Sequence, residues 1–281
     1  MKDQTSGNPR LQMVRILVSG LAVFTTIPGV ASFEVLPAAA QEVSAASLKN
    51  PNSSPARQPV LVELFTSEGC SDCPAADALL ARLDATQFVA GAEAIVLSEH
   101  VTYWNYLGWS DPFSFEAMSR RQARYASRFG LDQVYTPQAV VDGAAEVLGS
   151  DSAALSHAIA GAAQKEKPEL RIEGANWTEN TIGFAVKAAE GLHGVLTVAL
   201  AEDATHSIVG RGENAGRTLQ HVAVVRVIKT MGQNKRNKTQ VTLDLGNSKG
   251  LAGHAFRLVA LMTDGEGGRV LAVAEVPVTR P

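Results

Sequence analysis

The hydrophobic pattern of the chain changes near residue 168. From residue 60 to 167, short apolar runs alternate with segments whose apolar residues recur at helical spacing, in the order strand, helix, strand, helix, strand, strand, helix. From residue 168 to 281, seven short runs of alternating polarity are separated by Gly, Asn and Asp. This pattern predicts an α/β domain over residues 60–167, followed by an antiparallel β-sandwich domain over residues 168–281.

The predicted helices have recognisable limits. Pro74 lies where a first helical turn tolerates proline, Gly130 is a natural end for the second helix, and Ser150 or Asp151 caps the third. The three predicted helices begin near Pro74, Pro112 and Asp151. The predicted strands are Val60–Thr66, Ala94–Ser98, Gln138–Asp142, Glu146–Leu148, Leu170–Glu173, Ile182–Val186, Val195–Leu200, Val222–Ile228, Val241–Leu245, Phe256–Leu261 and Val270–Val278.

Residues 1–40 predict a secretory signal peptide. Three basic residues precede an uninterrupted apolar run, Ile16–Ile27, which is shorter than the roughly 20 residues of a spanning helix. We expect cleavage after Ala38–Ala40, with Gly29–Ala31 as the alternative site and an uncleaved anchor as the alternative function. Residues 41–59, rich in Ser, Pro and Asn, predict a linker. The mature protein is therefore expected to be periplasmic or secreted, without a membrane span.

The composition excludes several function classes. Apolar residues make up 46% of the chain and charged residues 19%, which is typical of a globular protein. With 25 basic and 28 acidic residues, and no basic cluster longer than Lys235–Lys238, a nucleic-acid partner is not expected. Only two cysteines are present, so neither a scaffold of several disulfides nor a four-cysteine zinc site can form.

Those two cysteines form the motif Cys70-Ser71-Asp72-Cys73, directly after a predicted strand and at the start of a helix. Two intervening residues in a first helical turn bring the sulfurs within bonding reach, and the unpaired N–H groups of the helix stabilise a thiolate. We expect Cys70 to be the exposed nucleophile and Cys73 the sheltered thiol that resolves a mixed disulfide. An inert disulfide and a metal site are the alternatives.

Pro137, in the segment Val134–Gln138, directly precedes the third predicted strand. A proline inside a central strand would be unfavourable, so this position indicates a turn at the entrance of the strand. With this proline and the Cys-x-x-Cys after the first strand, the sequence resembles the thioredoxin superfamily. The resemblance implies a thioredoxin-like fold for the first domain and a cis bond between Thr136 and Pro137. It also implies that Pro137 faces the cysteines in the catalytic centre, with the backbone of Thr136 free to bind substrate.

Three segments look more specifically like a family of secreted bacterial thioredoxin-like proteins catalogued only as a domain of unknown function. They are Glu63–Pro74, His100–Phe113 and Arg211–Arg217, so the resemblance extends over nearly all of the mature chain.

The sequence departs from ordinary thioredoxins at Gly69, where tryptophan is usual, and in the middle pair Ser71-Asp72. The buried carboxylate expected six residues before Cys70 falls on Leu64. Glu63 is one residue away and, because side chains alternate along a strand, lies on the opposite face. These departures bear on reductase activity.

Six aromatic residues are concentrated after the second predicted strand, where the ligand crevice of an open α/β sheet forms. One interpretation is a substrate-binding wall or lid over the dithiol, with Trp104 and Trp109 as its main members. The alternative is a satellite core beneath a long loop. The six are Tyr103, Trp104, Tyr106, Trp109, Phe113 and Phe115.

Two histidines and an arginine remain open. His100 either transfers protons near Cys70 or is simply hydrogen-bonded at a strand end. Arg217 and His221 are either ordinary turn and strand residues or take part in an interdomain contact.

The sequence therefore favours a thiol-disulfide oxidoreductase without cofactor or metal, acting with an unidentified redox partner on protein or small-molecule thiols and disulfides. Cys70 attacks, Cys73 resolves, and Thr136, His100, Trp104 and Trp109 contact the substrate. The alternative is a non-catalytic binding module that uses the aromatic segment 103–115. Metal handling by Cys70, Cys73 and His100 is a third hypothesis, although it supplies only three ligands.

Overall fold

The structure, a computed structural model, describes residues 57–246 and 252–281. The predicted signal peptide and all but the last three residues of the predicted linker lie outside these residues. The α-helices of the described chain are α1 (Cys73–Thr86), α2 (Glu116–Phe129) and α3 (Ser152–Ala162), with a short 3-10 helix at Asn105–Leu107. The strands are β1 (Gln58–Thr66), β2 (Ala92–His100), β3 (Gln138–Val141), β4 (Ala145–Leu148), β5 (Leu170–Thr178), β6 (Thr181–Ala188), β7 (Gly194–Ile208), β8 (Thr218–Asn234), β9 (Lys238–Asp244), β10 (Ala255–Thr263) and β11 (Val270–Thr279).

The predicted helices and strands are confirmed as individual elements, with shifted ends. Asp151 is the cap of α3, because its Oδ1 accepts hydrogen bonds from the N–H groups of Ala153 and Ala154 at 3.0 and 2.9 Å. Gly130 caps the end of α2, directly after Phe129, and its φ of 69° is left-handed and favours glycine. Strands β7 and β8 are much longer than predicted, and their extra length forms a hairpin arm.

Eight strands form one mixed sheet in the order β11-β10-β7-β8-β2-β1-β3-β4. Strands β1 and β2 are parallel, whereas β3 and β4 run antiparallel to their neighbours. The sheet continues from β2 to β8 through a parallel contact at Ser98 and Val224. A second sheet has three strands in the order β5-β6-β9.

The predicted fold class, an α/β thioredoxin-like domain followed by an antiparallel β-sandwich domain, is wrong. The described chain is mostly β, and four of the seven strands assigned to the sandwich extend the sheet of the first half instead. The result is a large mixed sheet with a small second sheet, not a helix-flanked thioredoxin fold. Hydrophobic periodicity identifies a half-buried strand but does not specify its partner, and β2 would otherwise leave an unpaired edge. The division at residues 167 and 168 stays a prediction.

Alternation along the strands divides the core into layers. In β7, Leu196, Val198 and Leu200 pack towards the three-stranded sheet, whereas Ala199 and Ala201 join the cluster that contains α1 and α3. A smaller cluster around Phe65 and Tyr125 lies beside the aromatic segment. Within residues 57–246 and 252–281, no helix combines the length and the apolar character needed to cross a bilayer.

Candidate functional site: a covered disulfide

Cys70 and Cys73 are joined in a disulfide at the carboxyl end of β1, with their Cα atoms 5.4 Å apart. Cys73 is the first residue of α1, and Pro74 follows it in the first turn, where no N–H partner is required. A tight turn holds the pair, because the N–H of Cys70 donates to the carbonyl of Ser67 and the N–H of Cys73 donates to the carbonyl of Cys70. The sequence therefore presents its two cysteines at a helix N-terminus.

The expected exposure of Cys70 is not found, because its exposed fraction is only 1% and that of Cys73 is 0%. Between them, Ser71 and Asp72 are exposed. The backbone of the motif thus reaches the surface, whereas its sulfurs do not. A thiol from solution can reach the disulfide only after the residues that bury the sulfurs move.

The turn between β7 and β8, residues 209–217 and here called the β7–β8 tip, contacts the backbone of the cysteine motif. The side-chain amide of Asn214 donates to the backbone carbonyls of Glu68 and Cys70, both at 2.9 Å, and Asn214 is 1% exposed. Arg217 donates to the Oδ1 of Asn214 at 3.0 Å, which fixes the orientation of the amide. The N–H of Ser71 donates to Glu213 at 3.3 Å.

The β7–β8 tip also rests on Trp109. The ring of Trp109 lies 3.2 Å from the position that a Cβ on Gly210 would occupy. The Cβ of Trp109 lies 3.3 Å from the position that a Cβ on Gly212 would occupy. Gly212 has a φ of 81°, so glycine is required there both by backbone conformation and by close approach. Trp109 in turn donates from Nε1 to Glu68 at 2.8 Å. Trp109 therefore packs against the β7–β8 tip and does not form an open binding surface.

Glu68, two residues before Cys70, is the centre of a buried polar cluster. Its Oε2 accepts from Trp109, and its Oε1 accepts from Ser207 and lies 3.2 Å from Nε2 of His221. On the other side of His221, Nδ1 lies 3.6 Å from Oδ2 of Asp77, a residue of α1. Asp77 also accepts a 2.9 Å hydrogen bond from Thr66. These residues are largely shielded from water, so each charge in the cluster needs its partners.

His100 extends this cluster from the end of β2. Its Nδ1 lies 2.7 Å from Oδ2 of Asp111, and that oxygen also accepts from the N–H of Glu68 at 2.9 Å. The His100 ring meets the His221 ring edge to face at 4.7 Å, and Phe113 packs against both rings. His100 is thus hydrogen-bonded at a strand end, and it also belongs to the cluster behind the disulfide.

The environment shifts the protonation of this cluster in different directions. Burial raises the pKa of Glu68, but the hydrogen bonds that it accepts outweigh burial and hold the pKa below its usual value. Burial raises the pKa of Asp77 above its usual value, although both histidines oppose the shift. Burial lowers the pKa of His100, but the charge of Asp111 outweighs it, so the net pKa is raised. The cluster therefore combines an ionised carboxylate with a carboxyl that holds its proton more tightly.

Trp104, Thr136 and Pro137 meet on another side of the cysteine motif. The Thr136–Pro137 peptide bond is cis, which confirms that expectation. Trp104 donates from Nε1 to Oγ1 of Thr136 at 2.7 Å, and its Cβ lies 3.1 Å from where a Cβ on Gly69 would be. Trp104 therefore bridges the residue before Cys70 and the residue before the cis proline.

Glu63 lies on the face of β1 opposite Leu64, as alternation requires, and contacts α2 rather than the cysteines. Its carboxylate accepts from Arg121 Nε and from the Tyr125 hydroxyl, both at 2.5 Å. Glu99 lies 3.4 Å from the same Arg121 nitrogen. This buried ionic cluster is separate from the one formed around Glu68.

Several residues of the site were missed by sequence reasoning. Glu68, Asp111 and Asn214 lie within the segments that carry the family resemblance, but no sequence pattern assigned a role to them or to Asp77. A carboxylate one turn after Cys73 was a usable signal for Asp77, since positions i and i+4 share a helix face. The role of Asn214 had no local signal, because it depends on a contact across 144 positions.

Metal binding by Cys70, Cys73 and His100 was the third sequence hypothesis. Within the described ranges, no group of three or more His, Cys, Asp or Glu side chains is arranged to hold a metal ion. Both cysteine sulfurs are already used in the disulfide.

Comparison with known proteins places the chain in a family but not in a function class. A sequence profile described as "Protein of unknown function (DUF1223)" matches residues 61–262. A search among curated proteins found no match. The resemblance to a family of unknown function is thereby confirmed, whereas the wider resemblance to the thioredoxin superfamily gains no support from these comparisons.

Among solved structures, the chain is similar to protein AGR_C_4864 from Agrobacterium tumefaciens, a structural genomics target. The TM-score is 0.60 at 22% identity, over 78% of this chain and 94% of that chain, and this likeness shows the fold alone. OgpA from Akkermansia muciniphila matches with a TM-score of 0.24 at 12% identity, over 41% of this chain and 29% of that one. A β-glucuronidase from Ruminococcus gnavus matches with a TM-score of 0.22 at 12% identity, over 40% of this chain and 16% of that one. Neither of these two likenesses supports an argument about function.

Proposed function

The chain belongs to the DUF1223 family, and we propose that it is a thiol-disulfide oxidoreductase in which Cys70 and Cys73 are reversibly oxidised. The observation that carries the proposal is the disulfide between two cysteines separated by two residues at the start of α1. A disulfide that closes so short a loop restricts the unfolded chain least, so stabilisation alone is a weak reason for it.

The chemistry of the helix N-terminus supports the same proposal. The first N–H groups of a helix have no partner within the helix, and their partial positive charge favours a thiolate over a thiol. A thiolate is both the nucleophile and the better leaving group in disulfide exchange. This position therefore suits a cysteine pair that is repeatedly opened and closed.

The exchange transfers two electrons. A substrate thiolate attacks Sγ of Cys70, the Cys70–Cys73 bond breaks, and Cys73 leaves as a thiolate. A second substrate thiolate then attacks the substrate sulfur of the mixed disulfide, and Cys70 leaves as a thiolate. The substrate ends as a disulfide and the two cysteines end as thiols, having taken up two protons. The reverse sequence reduces a substrate disulfide.

The proposal includes secretion, with the protein acting in the periplasm or outside the cell. Disulfides persist in oxidising compartments, and a disulfide at the site is consistent with such a location. The sulfurs are buried, so exchange requires a movement of the residues around them, and we propose that the β7–β8 tip is the part that moves.

Trapping of mixed disulfides tests this function. Cys73→Ser removes the thiol that resolves the intermediate, so partners from a periplasmic extract should accumulate on Cys70 as complexes that a reductant releases. Cys70→Ser is the matched control and should trap nothing. The measurement is non-reducing electrophoresis, followed by identification of the partners.

A second measurement distinguishes an enzyme from a protein with an inert bridge. Structural disulfides have reduction potentials below about −300 mV, whereas catalytic pairs lie above that value. A potential below this limit, together with no trapped complex from Cys73→Ser, would overturn the proposed function. A non-catalytic binding module that uses residues 103–115 would then be the better hypothesis.

A further inference from the structure

We infer that the redox state of the cysteine pair controls how firmly the β7–β8 tip is docked. The tip is held on the cysteine motif while the bond between Cys70 and Cys73 is intact, and its docking weakens when that bond is reduced. The inference does not rest on the proposed enzymatic activity, because any reductant that opens the bond should have the same effect. It gives the tip a second property, which is to differ at the protein surface between the oxidised and the reduced chain.

The first argument is the place where the tip is attached. The disulfide joins Cys70 to Cys73 and thereby closes a short ring that includes the backbone of Ser71. Two hydrogen bonds connect the tip to this ring. The amide of Asn214 donates to the carbonyl of Cys70 at 2.9 Å, and the N–H of Ser71 donates to Glu213 at 3.3 Å. The tip is therefore bonded to the backbone segment whose geometry the disulfide constrains.

The second argument is that reduction must move this segment. Two bonded sulfurs are closer together than two thiols can approach, so reduction drives the sulfurs apart. Neither side chain has room at the surface, since the exposed fraction is 1% for Cys70 and 0% for Cys73. Close-packed surroundings transmit such an expansion to the backbone.

The two ends of the ring are held with different firmness. Cys73 is the first residue of α1, and the buried leucines of that helix fix it in the main hydrophobic core. The other end is a turn that reaches the surface at Ser71 and Asp72. The displacement therefore falls on the Cys70 end of the ring, where the carbonyl accepts from Asn214.

The tip is able to leave the motif as a unit. Its own turn is closed by a hydrogen bond from the N–H of Val209 to the carbonyl of Arg217 at 3.0 Å, and by one from the N–H of Gly216 to the carbonyl of Val209 at 2.8 Å. These bonds do not involve the cysteine motif. Within residues 209–217, only Val209 and Asn214 are buried, so little apolar surface holds the tip in place.

The coupling acts in both directions. The oxidised and reduced chains, each with the tip docked or undocked, form a closed thermodynamic cycle. If reduction weakens docking by some factor, docking opposes reduction by the same factor. A variant with a weakly docked tip should therefore hold its cysteine pair more readily as thiols.

Hydrogen exchange of the backbone amides measures the docking. Peptides that cover residues 209–217 should exchange at least about fivefold faster after reduction by dithiothreitol, since coupling between two sites is typically about 5–150-fold. Dithiothreitol supplies two electrons and two protons and ends as a cyclic disulfide, while the protein ends with two thiols. Peptides that cover residues 234–238, the turn at the other end of β8, are the internal control and should not change. The double variant Cys70→Ala/Cys73→Ala is the control for the reagent and should exchange equally with and without dithiothreitol.

Asn214→Ala provides the reference for a weakly docked tip. Its tip should exchange rapidly in the oxidised protein, and reduction should add little. In a dithiothreitol buffer at equilibrium, alkylation should show that its pair is shifted towards thiols at least about fivefold. Glu213→Ala, at an exposed position, removes the bond to Ser71 and should act in the same direction. Asn234→Ala removes a buried asparagine at the far end of β8 and should change neither measurement.

Three results would overturn the inference. The first is tip exchange that reduction leaves unchanged while Asn214→Ala accelerates it. The second is equal acceleration in residues 209–217 and 234–238, which indicates a general loss of stability. The third is wild-type behaviour of Asn214→Ala, and Glu213→Ala decides if that variant does not fold. Trapped partners with unchanged tip exchange would refute this inference alone, whereas a redox-dependent tip without trapped partners would refute the proposed function alone.

Discussion

Asn214 donates a 2.9 Å hydrogen bond to the backbone carbonyl of Cys70, across 144 positions of sequence. The same amide group donates to the carbonyl of Glu68, so one side chain holds the backbone on both sides of Gly69. The β7–β8 tip is thereby fastened to the turn that carries the disulfide. We expect opening of the tip to be the step that exposes the sulfurs.

We predict that Asn214→Ala accelerates reduction of the disulfide by dithiothreitol about thirtyfold. Two hydrogen bonds of about 1 kcal/mol each are lost from the closed state, and each 1.4 kcal/mol changes a population tenfold. The rate can be followed by alkylation of the released thiols.

Asn234→Ala is the matched control, because Asn234 is the buried last residue of β8, at the end away from the tip, and bonds to Arg236 in the turn that follows. It should leave the reduction rate unchanged even if stability falls. Equal acceleration by both variants would mean that general destabilisation, not opening of the tip, exposes the disulfide.

Glu63 and Glu99 are predicted to differ sharply when each is changed to glutamine. Burial raises the pKa of Glu63, but Arg121 and the hydrogen bonds to its carboxylate outweigh burial and lower it. Burial and the charge of Glu63 raise the pKa of Glu99 well above its usual value. Glu63→Gln removes the partner of a buried Arg121 and should cost about 3–5 kcal/mol in the free energy of unfolding. Glu99→Gln replaces a protonated carboxyl and should cost little.

The pH dependence checks the assignment of charge to these two carboxyls. A raised pKa in the folded state means that the wild type loses stability as pH rises above the unfolded pKa of about 4.5. Relative to wild type, Glu99→Gln should therefore become more stable between acid and neutral pH, as measured by urea unfolding. The opposite trend, or equal losses of unfolding free energy in Glu63→Gln and Glu99→Gln, would contradict this assignment of charge.

The pair His100 and Asp111 should stabilise the protein only within a pH window. The raised pKa of His100 makes its contribution complete below about pH 6.5, and this contribution is lost as pH rises through the folded pKa. Burial raises the pKa of Asp111, but His100 outweighs it and lowers the pKa, so the contribution of Asp111 is lost as pH falls through its folded value. Asp111→Asn should therefore cost most near pH 5–6 and less above pH 8. An equal cost of Asp111→Asn at every pH would contradict this prediction.

Trp104 and Thr136 should show a coupling energy of about 1 kcal/mol in a double-mutant cycle. Trp104→Phe keeps an aromatic ring and removes the donor, whereas Thr136→Val keeps the shape and removes the acceptor. Each single variant loses the same 2.7 Å hydrogen bond. Additive losses in the free energy of unfolding would show that the bond contributes nothing.

Sequence patterns located most elements but not their assembly. The strand at Val60–Thr66 and the cap at Asp151 have local causes, an apolar run and a side chain beside free N–H groups, and both are confirmed. The pairing of β2 with β8 depends on residues more than 100 positions apart, and no local pattern specifies it. The predicted fold class is wrong because this contact joins strands of the two predicted domains into one sheet.

The same limit applies to the candidate site. The outer half of β7, Glu202–Ile208, has few apolar residues and alternates in burial, so it did not register as a strand. That half supplies Ser207 and, with β8, supports Asn214 and His221. The parts contributed by β1 and α1 were visible in the sequence, whereas the parts that cover them were not.

The long separation between Cys70 and Asn214 has a consequence for the order of events in synthesis. A chain synthesised from its N-terminus contains both cysteines well before Asn214, the residue that later bonds to the turn that carries them. The first oxidation of the pair can therefore take place on an open, emerging chain, without any movement of the β7–β8 tip. Under the proposed function, every later exchange in the finished protein requires that movement, so the first oxidation and the later exchanges meet different barriers at one disulfide.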